Sequence, residues 1–114
     1  MSSLLIRLDP TKLVNPDADI RYLLPDLLAR ESGGRLTDDG YDYDDQQRLL
    51  IFMNSADFTG LMPLVLRVLE TQPVLGNTLA DTAELAVGGP TDFEVVFPSA
   101  AAGQTMSLPS DSHS

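Results

Sequence analysis

Apolar residues recur in two rhythms along the chain. At residues 4–8, Leu4, Ile6 and Leu8 alternate with Leu5 and Arg7, the two-residue period of a strand. Asp9-Pro10 ends that strand, because proline cannot donate to a ladder. Asn15-Pro16-Asp17 reads as a helix start: a capping side chain, proline at the first helical position and an acid in the first turn. Ile20, Leu23, Leu24, Leu27 and Leu28 follow at helical spacing as one stripe. Pro25 predicts a kink or restart within it, and Gly33-Gly34 ends it.

Residues 35–43 alternate as a second strand, residues 44–47 make a loop, and residues 48–53 form a third strand. So short a loop makes the two strands antiparallel neighbours. Asp39-Gly40 is an alternative place for the turn, and Gly40 is also where a bulge would fall. Phe58, Leu61, Met62, Val65, Leu66 and Leu69 mark a second helix, with Ser55 or Asp57 as its cap and Gln72-Pro73 as its stop. Pro63 lies in this stripe as Pro25 lies in the first, so the chain reads as two related strand–helix–strand halves. Residues 82–87 and 93–97 alternate on either side of Gly88-Gly89-Pro90 as a terminal hairpin. From Pro98 the residues become small and polar, which predicts a domain over residues 1–98 and a mobile tail over 99–114.

The order β-α-β-β-α-β-β predicts an α+β fold, a ferredoxin-like antiparallel sheet with both helices on one face. Residues 49–53, LLIFM, complicate that plan, because they offer apolar groups to both faces of the sheet. Two helices cover one face, so the other calls for a second chain, a ligand or the C-terminal segment, and a homodimer is expected.

With 114 residues, 43% of them apolar, the chain has room for one domain and one core. Charge changes the picture more. Seventeen acidic against seven basic residues give −10, a field that repels phosphate backbones and anionic bilayers and attracts basic partners. Neither nucleic acid nor membrane is an expected partner, and no apolar run has the length of a membrane span. Cysteine is absent, which removes disulfides and thiolate chemistry and fits the cytoplasm.

Catalytic chemistry has little to build on. The only histidine, His113, is next to the last residue, and no nucleophile elbow, phosphate loop or zinc-binding H-E-x-x-H occurs. No catalytic residue is assigned and a non-enzymatic role is expected. Five aspartates within eight residues, Asp38, Asp39, Asp42, Asp44 and Asp45, surround Tyr41 and Tyr43. The run lacks the glycine and the distant glutamate of a calcium loop, so no metal or cofactor is expected there. Its alternation puts Asp42 and Asp44 on one face and Asp39 on the other. Such a run suits either a solvated edge or a docking patch for a basic protein, with the tyrosines as amphipathic anchors.

From GGRLTDDGYDYDD through LLIFMNSADFTGLMPLVLRVLE, about a third of the chain, the sequence resembles small bacterial ferredoxin-like proteins, among them immunity proteins of polymorphic toxin systems. The resemblance implies binding and blocking of a toxin through an acidic surface and carries over no individual residue. The expected function is thus an acidic protein-binding domain docking through Asp38, Asp39, Tyr41, Asp42, Tyr43, Asp44 and Asp45. The alternative is a dimeric small-molecule sensor or carrier.

Overall fold

A computed structural model describes residues 2–13, 15, 19–44, 46–56, 60–79, 82–88, 92–97 and 105–107. Among these residues six strands and two α-helices follow one another: β1 (Ser2–Leu8), α1 (Ile20–Glu31), β2 (Thr37–Tyr43), β3 (Leu49–Ser55), α2 (Leu61–Thr71), β4 (Glu84–Gly88), β5 (Asp92–Phe97) and β6 (Thr105–Ser107). The strands form one sheet in the order β2-β3-β1-β4-β5-β6, every neighbouring pair antiparallel. Its first four strands, with α1 and α2 in the two crossovers, follow the ferredoxin-like plan. β5 and β6 extend the sheet beyond β4.

One face of the sheet meets both helices. Leu4, Ile6 and Leu8 of β1, Leu49, Ile51 and Met53 of β3, and Leu85 of β4 pack against Ile20, Leu24, Leu27 and Leu28 of α1 and Leu61, Val65, Val68 and Leu69 of α2. The pairs Leu4–Met53, Ile6–Ile51 and Leu8–Leu49 fix this register. A slip by one residue would turn every one of these side chains to the opposite face.

α1 departs from expectation at Leu23, and of the two outcomes open at Pro25 the restart does not occur. Pro25 neither breaks nor restarts it: the helix runs through, with Pro25 buried inside it. Burial of the ring in the core offsets the lost backbone donor. Leu23 is exposed instead of joining the buried stripe. The helix begins at Ile20 after Asp19, while residues 16–18 of the expected start lie outside the described residues. In α2, Pro63 is the third residue, within the first turn, where backbone N–H groups have no helical partner. The two prolines therefore occupy different turns of their helices. The α2 cap position is Gly60, with φ at 74°. Ser55 instead ends β3, and Asp57 lies outside the described residues.

The second face holds a smaller apolar cluster of Leu5, Leu50, Ala86 and Val95, with Phe52 at its margin. A register shift between β4 and β5 lets Val95 join this face while Phe97 packs with the helices, although the two are only two residues apart. Arg7 is on the same face, its Nε and Nη2 donating to the two carboxylate oxygens of Glu84 at 2.8 and 2.7 Å. Leu5 is 0% exposed and Leu50 2%. Both are buried within a single chain, so the argument that this face needs a second copy lapses. Within the expected tail, Thr105–Ser107 is a strand pairing with β5; the rest of residues 98–114 lies outside the described residues.

Leu5→Ala is expected to lower stability by about 3 kcal/mol, the cost of emptying a packed core site. The midpoint of urea denaturation should be unchanged across a wide range of protein concentration. A midpoint that rises with concentration would show that a second chain completes this face.

Candidate functional site

Among the described residues β2 is an edge strand, paired only with β3. It pairs with β3 as Thr37–Asn54 and Asp38–Met53, then shifts register and resumes as Tyr41–Ile51, Asp42–Leu50 and Tyr43–Leu49. Asp39 and Gly40 therefore oppose the single residue Phe52, which makes a bulge. Gly40 has φ at 97°, a conformation that strains any residue with a Cβ. Of the alternatives open at Gly40, the bulge is the one formed.

The bulge resets which residues share a face. Partners in an antiparallel pair point to the same side of the sheet. Asp38, Tyr41 and Tyr43, opposite Met53, Ile51 and Leu49, thus lie on the helix side. Asp42, opposite Leu50, lies on the other. Strict alternation would have put Asp38 with Asp42.

Beyond Tyr43 the chain turns back through Asp44. The Asp44 N–H donates to the Arg48 carbonyl at 3.0 Å, and the Gln47 N–H donates to the Asp44 carbonyl at 3.0 Å. Oδ1 of Asp44 accepts the N–H groups of Gln46 and Arg48, both at 2.9 Å, and Oδ2 accepts Arg48 Nε at 2.6 Å. Gln47 takes φ of 64°, which costs about 1 kcal/mol for a residue with a Cβ. These bonds hold it there. Asp44 is buried, so its expected place in the docking patch is corrected: its carboxylate closes the β2–β3 turn. Burial pushes the Asp44 carboxyl up, but the Arg48 N–H, the Arg48 guanidinium and the Gln46 N–H together outweigh it and hold the pKa below the ordinary value.

The Asp44–Arg48 contact also sets the phase of the ladder. Antiparallel pairs alternate between hydrogen-bonded and non-hydrogen-bonded. Counting back from Asp44–Arg48, Asp42–Leu50 is a bonded pair, whereas Tyr41 and Tyr43 turn their backbone groups to the free edge. The Tyr43 N–H is taken by Asp42 Oδ1 at 2.8 Å, and the Gly40 N–H by Asp38 Oδ1, also at 2.8 Å. Two of the aspartates thus cap N–H groups of their own strand. Asp39 is exposed, and Asp45 lies outside the described residues.

On the helix side all three tyrosines of the chain meet. Tyr22 of α1 stands edge-on to Tyr41 with ring centroids 5.9 Å apart, and Tyr41 edge-on to Tyr43 at 6.2 Å. The Arg21 guanidinium lies 4.7 Å from the Tyr22 ring centre and 5.1 Å from that of Tyr41. These are cation–π distances. Tyr22, Tyr41 and Tyr43 are 53%, 41% and 36% exposed, so the cluster is a surface feature. The Arg21 guanidinium beside the Tyr22 hydroxyl, with Tyr41 as a second hydrogen-bond partner, draws the Tyr22 pKa down. The bond to Tyr22 raises that of Tyr41, against the pull of Arg21. Hydrogen bonding to Tyr22 and then Tyr43 raises Arg21 itself.

The sequence pointed to Tyr41 and Tyr43 but missed Arg21 and Tyr22, which lie off the apolar stripe of α1. Only the packing of α1 beside β2 brings them together. Among the described residues no three His, Asp or Glu side chains gather where a metal ion could be held, and no helix is long and apolar enough to cross a membrane. No protein-family model matches the chain, and no match was found among curated proteins or solved structures.

Asp44→Asn is expected to cost about 2 kcal/mol, the worth of a charge-assisted hydrogen bond in a partly buried turn. Because the folded carboxyl titrates below its unfolded value of about 3.9, the stabilisation is complete above that pH and disappears as pH falls through the folded pKa. Denaturation at several pH values should therefore show the gap between wild type and variant closing below about pH 4. A gap that persists in acid would place the cost elsewhere than in the ionised pair.

The phenols supply a second check. Followed by NMR of the ring carbons, Tyr22 should titrate below and Tyr41 above the ordinary value of about 10. Arg21→Met should return Tyr22 upward. Equal titration of the two rings would show that Arg21 does not engage them in solution.

Proposed function

We propose that this chain is a non-enzymatic protein-binding domain that meets a basic partner along β2. Its resemblance to immunity proteins extends the proposal to a toxin, neutralised by covering the toxin's own site. The reading rests on one observation: Asp38, Asp39 and Asp42 line an edge strand, Thr37–Tyr43, that contains no lysine or arginine. The chain's net charge of −10 reinforces that local field. A basic surface would be steered to this edge, and the steering would weaken with salt because exposed charges are screened over about 8–10 Å. The cysteine-free chain suits a reducing cytoplasm, where we place it.

Asp44 has no part in this surface, so the informative variant is Asp38→Asn, Asp39→Asn and Asp42→Asn together. Asparagine keeps an oxygen acceptor for the Gly40 and Tyr43 amides, and the fold should survive. Immobilised wild-type protein is expected to retain a basic protein from lysate at low salt and release it at high salt. Association of that protein, once purified, should be about tenfold slower with the triple variant. Equal association rates and equal salt dependence would reduce the aspartates to a solvated edge and end the proposal.

A further inference from the structure

Resting on a basic partner as proposed above, we infer that its anchoring contact is the helix-side face of β2, the Tyr22, Tyr41 and Tyr43 rings around Arg21, and that the partner presents arginine or lysine side chains to that face instead of adding a strand to the edge. A free edge invites strand addition when its outward N–H and C=O groups are open. Here Asp42 takes the outward Tyr43 N–H and Asp38 takes the Gly40 N–H. The bulge at Asp39-Gly40 also interrupts the regular spacing that an added strand would follow. Two N–H groups of the edge strand are thus already taken by its own side chains.

The face beside it is open and already arranged. Three rings in edge-on contact, spanning a helix and a strand, offer large amphipathic area, and tyrosine loses little rotamer entropy on binding. The Arg21 guanidinium against two ring faces holds Tyr22 to Tyr41 before any partner arrives. Charge complementarity identifies the occupant. Asp38 shares the face of the rings and Asp39 adjoins it in the bulge, and the chain carries −10 overall, so a cationic side chain is favoured here over an anionic one. Arginine and lysine bring a cation to the carboxylates and an aliphatic stem to lie on the rings. An acidic or purely apolar partner would satisfy only one of the two.

The test uses two synthetic peptides of alternating arginine and alanine, long enough to span Thr37–Tyr43. In one of them alternate backbone nitrogens are methylated, so that it cannot form a ladder. Binding to the full chain is followed by NMR at low salt. Both peptides are expected to bind alike and to shift the ring protons of Tyr22, Tyr41 and Tyr43. Tyr22→Ala and Tyr41→Ala should each weaken binding about tenfold or more. Tyr41→Phe, which keeps the ring, should bind nearly as wild type, which separates loss of contact from damage to the fold. Binding abolished by backbone methylation would show strand addition and overturn the inference. So would binding that is lost in the Asp38, Asp39 and Asp42 asparagine variant yet indifferent to the tyrosine variants, an outcome that would leave the basic-partner reading standing. Binding of neither peptide would bring down that reading and this inference with it.

Discussion

The fold depends on burying β3 from both sides. Leu49, Ile51 and Met53 enter the core beneath α1 and α2, while Leu50 enters the cluster on the opposite face. A strand so apolar is most stable between two neighbours, and β1, with Leu4, Ile6 and Leu8 on one side and Leu5 on the other, is matched to it pair by pair. Once β1 and β3 hold the middle, the more polar β2 falls to the edge. Its side chains are exposed or half-buried along its whole length. The acidic, tyrosine-bearing strand is thus a surface because its neighbour is a core.

Two local devices then decide what that surface presents. The Asp44 turn joins β2 to β3 and fixes the hydrogen-bonding phase. The Gly40 bulge shifts the parity, so that Asp38 joins the tyrosines and Asp42 does not. Neither device adds much stability in isolation. A turn carboxylate is worth about 2 kcal/mol, against the far larger sum from core burial. Their weight lies in placement, because each single-residue change of phase would move a carboxylate or a ring to the other side of the sheet.

The fold was legible in the sequence wherever periodicity alone decides. Alternation located β1, β2 and the β4–β5 hairpin, a short apolar run located β3, and the helical stripes located α1 and α2. Reading failed where two physical outcomes share one sequence pattern. The hairpin turn was placed correctly at residues 44–47, but whether Gly40 makes a bulge was left open, and only the pairing around Phe52 settles it. Asp44 looks like its neighbours in composition, and its burial follows from Arg48 folding back four residues later. Leu23 fits the period of α1 yet is exposed. Cover for Leu5 and Leu50 was expected from a second chain, a ligand or the C-terminal segment, and the place of Val95 on that face was not legible, since it depends on a parity change between β4 and β5. The tyrosine cluster was half legible: Tyr41 and Tyr43 share a face by alternation, but Tyr22 reaches them only through tertiary packing.

An exposed aromatic cluster beside an open strand edge is ordinarily an invitation to self-association, and the same residues answer it. Two copies meeting through β2 would bring two sets of Asp38, Asp39 and Asp42 together, and like charges set directly opposite one another oppose pairing. The side-chain caps on Gly40 and Tyr43 remove donors that such pairing would use. Arg21 occupies ring surface that would otherwise seek another apolar group. The basic partner proposed above would instead be attracted by the carboxylates, and the exposed parts of the rings would remain for its side chains. On that proposal, discrimination against self and preference for a cation would follow from one arrangement, in which repulsive and attractive elements are the same carboxylates seen by different partners.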